Sequence, residues 1–480
     1  MSKLENIKPG KVFKYFEEIC AIPHGSGNMD KISEYCMSFA EKHGLRAIRD
    51  KANNVIIYKE ASLGYEDADT VILQGHLDMV CQKDEGVDID FESDSIQAYI
   101  DGDYIKAKGT TLGGDNGIAV AMIMAILEDN TLRHPAIEAV FTTDEEIGMI
   151  GAGKLDFSLL KGKKMINIDS EDQDVLTVSC AGGSDFKMIL PLSRLTQQGT
   201  AFEITVKGLK GGHSGVEINS GRVNADILMA RILNYARSIT SFGLIGIDGG
   251  TKDNAIPVLS TATIVPEKAE GFAEKLRVYA EVVSKEISFR EEDFQFDIEE
   301  RREGCFEIIA PDLANKITDM LISVPNGVVE MSAEIENLVE TSLNLGILKT
   351  EPQKLTAHFA LRSNKSSGLK YLEDRMKSFA CLAGCTAECG GHYPPWEFKK
   401  DSALQSMYRD KYREKLGREI SVEAIHAGLE CGVFSANIEG LDCISVGPKM
   451  YDIHTTGERL SISSVGVVFD IITKVLSICR

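Results

Sequence analysis

Three apolar runs, each closed by a histidine or an acid, constrain this chain more than anything else in it. They are residues 71–78 (Val-Ile-Leu-Gln-Gly-His-Leu-Asp), 137–146 (Ile-Glu-Ala-Val-Phe-Thr-Thr-Asp-Glu-Glu) and 165–169 (Met-Ile-Asn-Ile-Asp). Short apolar stretches of this length suit buried strands. In an open α/β sheet, ligands gather outside the carboxyl ends of the strands. Between the first two runs, Leu112-Gly113-Gly114-Asp115-Asn116-Gly117 opens an apolar helix, and Cys443–Gly447 runs into a loop carrying His454. Five groups able to bind a metal (His76, Asp115, Glu146, Asp169 and His454) are therefore expected at one sheet edge. That pattern points to a two-metal hydrolase.

The 480 residues give ample material for a core and for two to four domains. A net charge of −21, from 73 acids against 52 bases, argues against nucleic-acid binding, which needs a positive footprint. Eleven cysteines follow no framework spacing. The N-terminus, Met1-Ser2-Lys3-Leu4-Glu5-Asn6, interleaves charges and shows no apolar signal core. The longest apolar stretch, 117–127, falls short of the ~20 residues a membrane span needs. These features predict a cytoplasmic protein with reduced thiols and no membrane association.

Helix patterns at 11–22 and 29–43 precede strands at 54–59, 70–74, 136–142 and 164–168. The stretch 116–128 reads as a helix apolar nearly all round, and so buried. From about Gly183 the order becomes helix, strand, strand, helix, strand, and it recurs without matching residues. The first copy covers 221–299, after a strand at 201–207, and the second covers 312–389. After Trp396 the first style resumes with helices at 402–416 and 461–477. The expectation is an α/β catalytic domain over 1–182 and 393–480, its mixed sheet flanked by helices. An α+β lid domain of duplicated pattern is inserted at 183–392.

Zinc accepts imidazole and carboxylate oxygen, and two metals can share a bridging carboxylate. Asp115 is the candidate bridge, with His76, Asp169, Glu146 and His454 as terminal ligands. Asp78, two residues after His76, can accept its other ring N–H and fix the tautomer. Of the neighbours Glu145 and Glu146, one can bind metal while the other acts as general base on the attacking water.

Eight stretches resemble the M20 metallopeptidase family, in its aminoacyl-histidine dipeptidase branch. They are 22–28 (Ile-Pro-His-Gly-Ser-Gly-Asn), 75–80 (Gly-His-Leu-Asp-Met-Val), 113–118 (Gly-Gly-Asp-Asn-Gly-Ile), 143–148 (Thr-Asp-Glu-Glu-Ile-Gly), 167–171 (Asn-Ile-Asp-Ser-Glu), 211–215 (Gly-Gly-His-Ser-Gly), 426–432 (His-Ala-Gly-Leu-Glu-Cys-Gly) and 454–458 (His-Thr-Thr-Gly-Glu). Gly114 departs from the pattern, since relatives often carry alanine there. The resemblance implies a di-zinc aminopeptidase-like fold holding two divalent ions, zinc or else manganese or cobalt. It makes Asp78 the residue orienting His76, and Glu145 the base acting on a metal-bridging water. It also implies a cis peptide after Asp115. His213 becomes the oxyanion donor, and Asn254, Arg362 and Gly428 contact substrate. A guanidinium suits the free carboxylate of a dipeptide, with which it can form two parallel hydrogen bonds. Relatives with a single lid module borrow groups from a partner subunit. A doubled lid can supply His213 and Arg362 itself, so a homodimer is implied but not required for catalysis.

The expected activity is hydrolysis of short unblocked dipeptides, with Xaa-His and carnosine-like substrates among the candidates. The alternatives are an N-acyl amino acid deacylase on the same scaffold, or a non-catalytic peptide-binding relative. Cys381, Cys385 and Cys389, spaced by four and followed by His392, do not fit an iron–sulfur spacing, and no metal site is expected there. The first two are expected on one buried helix face and Cys389 in the next strand. His426 and Glu430 have helical i, i+4 spacing and are read as groups behind the ligands or in the substrate wall.

Overall fold

The structure is a computed structural model that describes Leu4 and residues 6–480. Of the N-terminal stretch read for a signal core, Met1–Lys3 and Glu5 lie outside it. The chain divides into two compact units. The first comprises Met1–Cys180, Phe398–Ala424 and Leu429–Arg480, and the second Ala181–Glu397 and Ile425–Gly428.

The first unit is built on an eight-stranded mixed sheet. Its order is Arg46–Arg49, Val55–Lys59, Ile137–Thr142, Val71–His76, Lys164–Asn167, Asp442–Ser445, Val175–Cys180, Ser421–Ile425. The four central strands, from Ile137–Thr142 to Asp442–Ser445, run parallel. Every residue of Val71–His76 and Ile137–Thr142 is buried, as expected where helices cover both faces of a parallel sheet. The ladder pairs His76 with Thr142 and Gln74 with Asn167, so these strands end together at one edge. The helix Gly114–Glu128 packs on Val71–His76 and on the helix Gly10–Cys20. Its residues 116–127 are all buried. Fully burying each of its Ile, Leu, Val or Met side chains stabilises by roughly 1.5–3 kcal/mol. This packing fixes the helix whose first turn carries Asp115.

A four-stranded sheet in the same unit escapes the sequence reading, because its strands are two to four residues long. It joins Met450–Tyr451, Arg459–Ser461, Tyr104–Ala107 and Ala98–Asp101. The first two form a hairpin, and its loop, residues 452–458, carries His454.

The second unit holds a nine-stranded antiparallel sheet and four long helices. The order helix, strand, strand, helix, strand runs through 225–309. It runs again through 311–393, with the short strand Gly327–Met331 added. The helices Ala225–Ile239, Phe272–Ile287, Pro311–Ser323 and Ser366–Leu382 share one apolar core with the sheet. Among the described residues, no helix is long and apolar enough to cross a membrane.

Candidate active site

In the first unit the five expected metal-binding groups come together as two triads that share Asp115. One is His76, Asp115 and Asp169, the other Asp115, Glu146 and His454. In each, the ligand atoms lie within 4.8 Å of one another. Asp115 turns a different oxygen to each side. Its Oδ1 lies 3.2 Å from His76 Nε2, and its Oδ2 lies 3.2 Å from His454 Nε2. His76 Nε2 is 3.4 Å from Asp169 Oδ1, and His454 Nε2 is 2.9 Å from Glu146 Oε1. Imidazole nitrogen and carboxylate oxygen are what zinc-class divalent cations take, so the donor set fits such ions.

Neighbouring residues position these groups. Asn116 donates from Nδ2 to Ile168 O at 2.8 Å and to Asp169 Oδ1 at 2.9 Å, while its Oδ1 accepts from His76 N at 3.3 Å. It ties two strand ends to the start of the helix. That requires Gly75, where a Cβ would meet Asn116 Oδ1 at 2.6 Å. The Asp115–Asn116 peptide is cis. Glu458, at the foot of the His454 loop, accepts the backbone N–H groups of Leu112, Gly113, Gly114 and Asp115 at 2.6–3.3 Å. One hairpin thus supplies His454 and also holds the loop that presents Asp115.

The field at this cluster is strongly negative. Burial alone would lower the His76 imidazole, but Asp169, Asp115 and Asp78 hold its pKa well above the ordinary value. Hydrogen bonds to Asp115 and Glu146 push His454 up to about 10. Glu145 is raised well above the carboxylate range by burial, with Asp169, Glu430 and Glu146 adding to it against the pull of His76. A carboxyl tuned upward in this way suits a proton carrier near neutral pH.

In the second unit a different cluster forms. His213 Nδ1 accepts the backbone N–H groups of Gly215 and Val216, both at 3.2 Å. The ring proton therefore sits on Nε2, leaving a free donor. Burial and the nearby Arg362 lower His213 to about 4, so it is neutral at pH 7. His426 is lowered to about 3 by burial, Arg362 and His213. Its Nε2 lies 2.7 Å from Ser342 Oγ and its Nδ1 3.0 Å from Asn364 Oδ1. Arg362 is buried and donates from Nη1 to the Tyr393 hydroxyl at 2.8 Å. Its buried Nε has no hydrogen-bond partner. Gly215 lets these groups converge. A Cβ there would meet His426 O at 2.3 Å, His213 Cε1 at 2.9 Å and Arg362 Nε at 3.2 Å. Asn254 is exposed on a loop whose backbone carbonyl accepts Ser214 N–H at 2.9 Å. With His213 it borders a cavity of about 520 Å³. Gly428 lies half-buried in the 425–428 segment.

The model of peptidase family M20/M25/M40 matches residues 72–477. The chain belongs to this family. It is 36% identical over 99% of both chains to the cytosol non-specific dipeptidase of Escherichia coli K12. Its structure superposes on the aminoacylhistidine dipeptidase of Vibrio alginolyticus with a TM-score of 0.90 at 37% identity, covering 100% of this chain and 98% of that one. A tripeptidase from Staphylococcus aureus shares the fold, with a TM-score of 0.55 at 16% identity over 98% of this chain and 99% of that one.

As an M20/M25/M40 peptidase, the chain adds to its sequence reading at one place and departs from it at two. His76 Nδ1 faces Asp78 twice, its backbone carbonyl at 3.0 Å and its carboxylate at 3.5 Å. The same carboxylate also accepts Glu145 N–H, Glu146 N–H and the Ser26 hydroxyl at 2.8–3.2 Å, so it holds the loop carrying the two glutamates as well, a second task the sequence does not show. His426 and Glu430 do not share a helix, because the chain passes between the two units at 425–428 and a helix begins only at Glu430. Cys381 is exposed at the end of its helix, and Cys385 lies in the turn beyond it. Cys389 is in the next strand, as expected. The reading also missed Glu458, Asn116 and Glu171. Burial, with Asp115 and Asp169 adding to it, pushes Glu171 up to about 7. Glu458 and Glu171 each followed a ligand candidate in a quoted motif, at 454–458 and 167–171, and that adjacency was the available signal.

Proposed function

We propose that this family member is a cytosolic, metal-dependent dipeptidase that cleaves short peptides with free termini. The observation that carries the reading is Asp115, whose two carboxylate oxygens face two separate donor triads. In this reading His76 and Asp169 hold one ion, Glu146 and His454 the other, and Asp115 both. Zinc is the first choice, with manganese or cobalt able to substitute. Ions held by these residues would supply Lewis-acid chemistry, acidifying a water and polarising the scissile carbonyl.

The residues supply the rest. Asp78 fixes Glu145 and Glu146 through their backbone N–H groups. Glu145 takes the proton from the attacking water and delivers it to the leaving amine. His213, neutral and protonated on Nε2, donates to the oxygen that gains charge. Arg362, buried with its Nε free of a hydrogen bond, takes the C-terminal carboxylate, since a buried charge is costly until a counter-ion arrives. Asn254 and the Gly428 backbone line the substrate. The first unit, expected from sequence as 1–182 and 393–480, is the catalytic domain; the second, expected as 183–392 but also holding 393–397 and 425–428, is the lid.

A panel of Xaa-His dipeptides, other dipeptides, a tripeptide and an N-acetyl amino acid tests this reading. Cleavage confined to unblocked dipeptides is expected, and the relative rates report any preference for C-terminal histidine. Cleavage of the acyl amino acid alone would make the chain a deacylase. No cleavage with any metal would make it a peptide binder.

A further inference from the structure

A second set of metal-binding side chains lies in the second unit and takes no part in the reading above. Glu373 sits on the buried face of the helix Ser366–Leu382, among Leu369, Leu372 and Met376. Cys389 lies on the edge strand Thr386–Tyr393, opposite Phe186, and packs against the core beneath that helix. His392 is three residues further on, and in a regular strand it would point to the opposite face. The ladder slips between Gly390 and Tyr393, so one extra residue is accommodated there. Gly391 takes the left-handed conformation at φ 59°, where a Cβ would also meet Asp185 Oδ2 at 2.5 Å. A bulge of this kind re-aims a side chain. It returns His392 to the face that carries Cys389.

The result is a compact sulfur, nitrogen and oxygen set. His392 Nε2 lies 3.5 Å from Cys389 Sγ and 2.8 Å from Glu373 Oε1. A tetrahedral zinc ion with its usual bond lengths places sulfur and nitrogen about 3.5 Å apart. Donor atoms of all three lie within 4.8 Å of one another, and without an ion the thiol and the carboxylate both hydrogen-bond the one ring nitrogen. Lys377 Nζ, 4.0 Å from Glu373 Oε2, stays on the far oxygen and leaves Oε1 to the cluster. The Glu373 side chain is 7% exposed and that of His392 54%, so the set has a closed floor and an open side for a water. We propose that Glu373, Cys389 and His392 bind one zinc-class divalent cation, which ties the helix to the exposed edge strand. Sequence spacing could not reveal this site, because its third donor lies sixteen residues back on another element.

Cobalt distinguishes this site from the active site, whose five candidate ligands include no sulfur. Full-length, reduced, chelator-treated protein titrated with Co²⁺ should develop a near-ultraviolet sulfur-to-cobalt charge-transfer absorption, saturating by three equivalents, one for this site and two for the active site, and reversed by Zn²⁺. Cys389→Ser should lose the band while keeping dipeptidase activity, which shows that it folds. Glu373→Gln and His392→Ala should need more cobalt to reach the same absorbance, and Cys385→Ser should leave the band unchanged. Absence of the band in the wild type, its survival in Cys389→Ser, or its loss in Cys385→Ser would each overturn the proposal. The readout is independent of whether the active-site reading holds.

Discussion

Histidines in the two units are tuned in opposite directions, and the contrast explains what each unit can hold. In the first unit, carboxylates surround His76 and His454 and raise both. In the second, burial and Arg362 lower His213 to about 4 and His426 to about 3. A field that favours positive charge on imidazole is one that cations enter. A field that keeps imidazole neutral beside a buried guanidinium is one that anions enter. Peptide hydrolysis needs both, a cation site for the attacking water and an anion site for the carboxylate and the developing oxyanion.

Substitutions can break this contrast in order of size. Glu145→Gln removes the proton carrier and leaves the candidate metal ligands, so kcat should fall by about 10²–10⁴-fold while metal content by elemental analysis stays at the wild-type value. Retained turnover would remove Glu145 as the base. His213→Ala should lower kcat by roughly 10²–10³-fold, and KM should change much less. A pure KM effect would make His213 a binding residue. Arg362→Ala should cost about 2–3 kcal/mol in kcat/KM on free dipeptides, the scale for stripping one partner from a buried charge pair. The loss should be far smaller on C-terminally amidated ones, and equal losses on both would contradict the carboxylate role.

The smallest effect is on stability. Unfolded histidine titrates near 6.5, whereas folded His213 and His426 titrate at about 4 and about 3. Between these values the unfolded chain binds more protons, so stability rises with pH. The contribution is complete above about pH 6.5 and is lost as pH falls towards 4 and then 3. Thermal melts between pH 7 and 5 should show a shallower decline for His213→Gln than for the wild type. Parallel declines would contradict the lowered pKa.

The first unit was largely legible because its information is local. Each parallel strand is a continuous apolar run, and the groups at its end follow it directly in sequence, as His76 follows Val71–Gly75. The apolar helix at 116–128 carried the same kind of signal. Glu458 was not legible as a support, because its partners at 112–115 lie more than 340 residues away and meet it through a hairpin of two- and three-residue strands. The nearness of Asp78 to His76 is visible in sequence, but its second task, accepting the backbone N–H groups of Glu145 and Glu146 sixty-seven and sixty-eight residues on, is not. In the second unit the repeated element order was visible. The convergence of His213, Arg362 and His426 was not, because it depends on the close approach at Gly215.

Stepwise return of metal to stripped protein tests the central claim most directly. Without metal, dipeptide cleavage should be absent. It should return as zinc, manganese or cobalt is added, while Asp115→Ala should bind neither active-site ion and lose on the order of 10⁴-fold or more in turnover. Full cleavage by the stripped wild type, or normal metal content and activity in Asp115→Ala, would contradict the account.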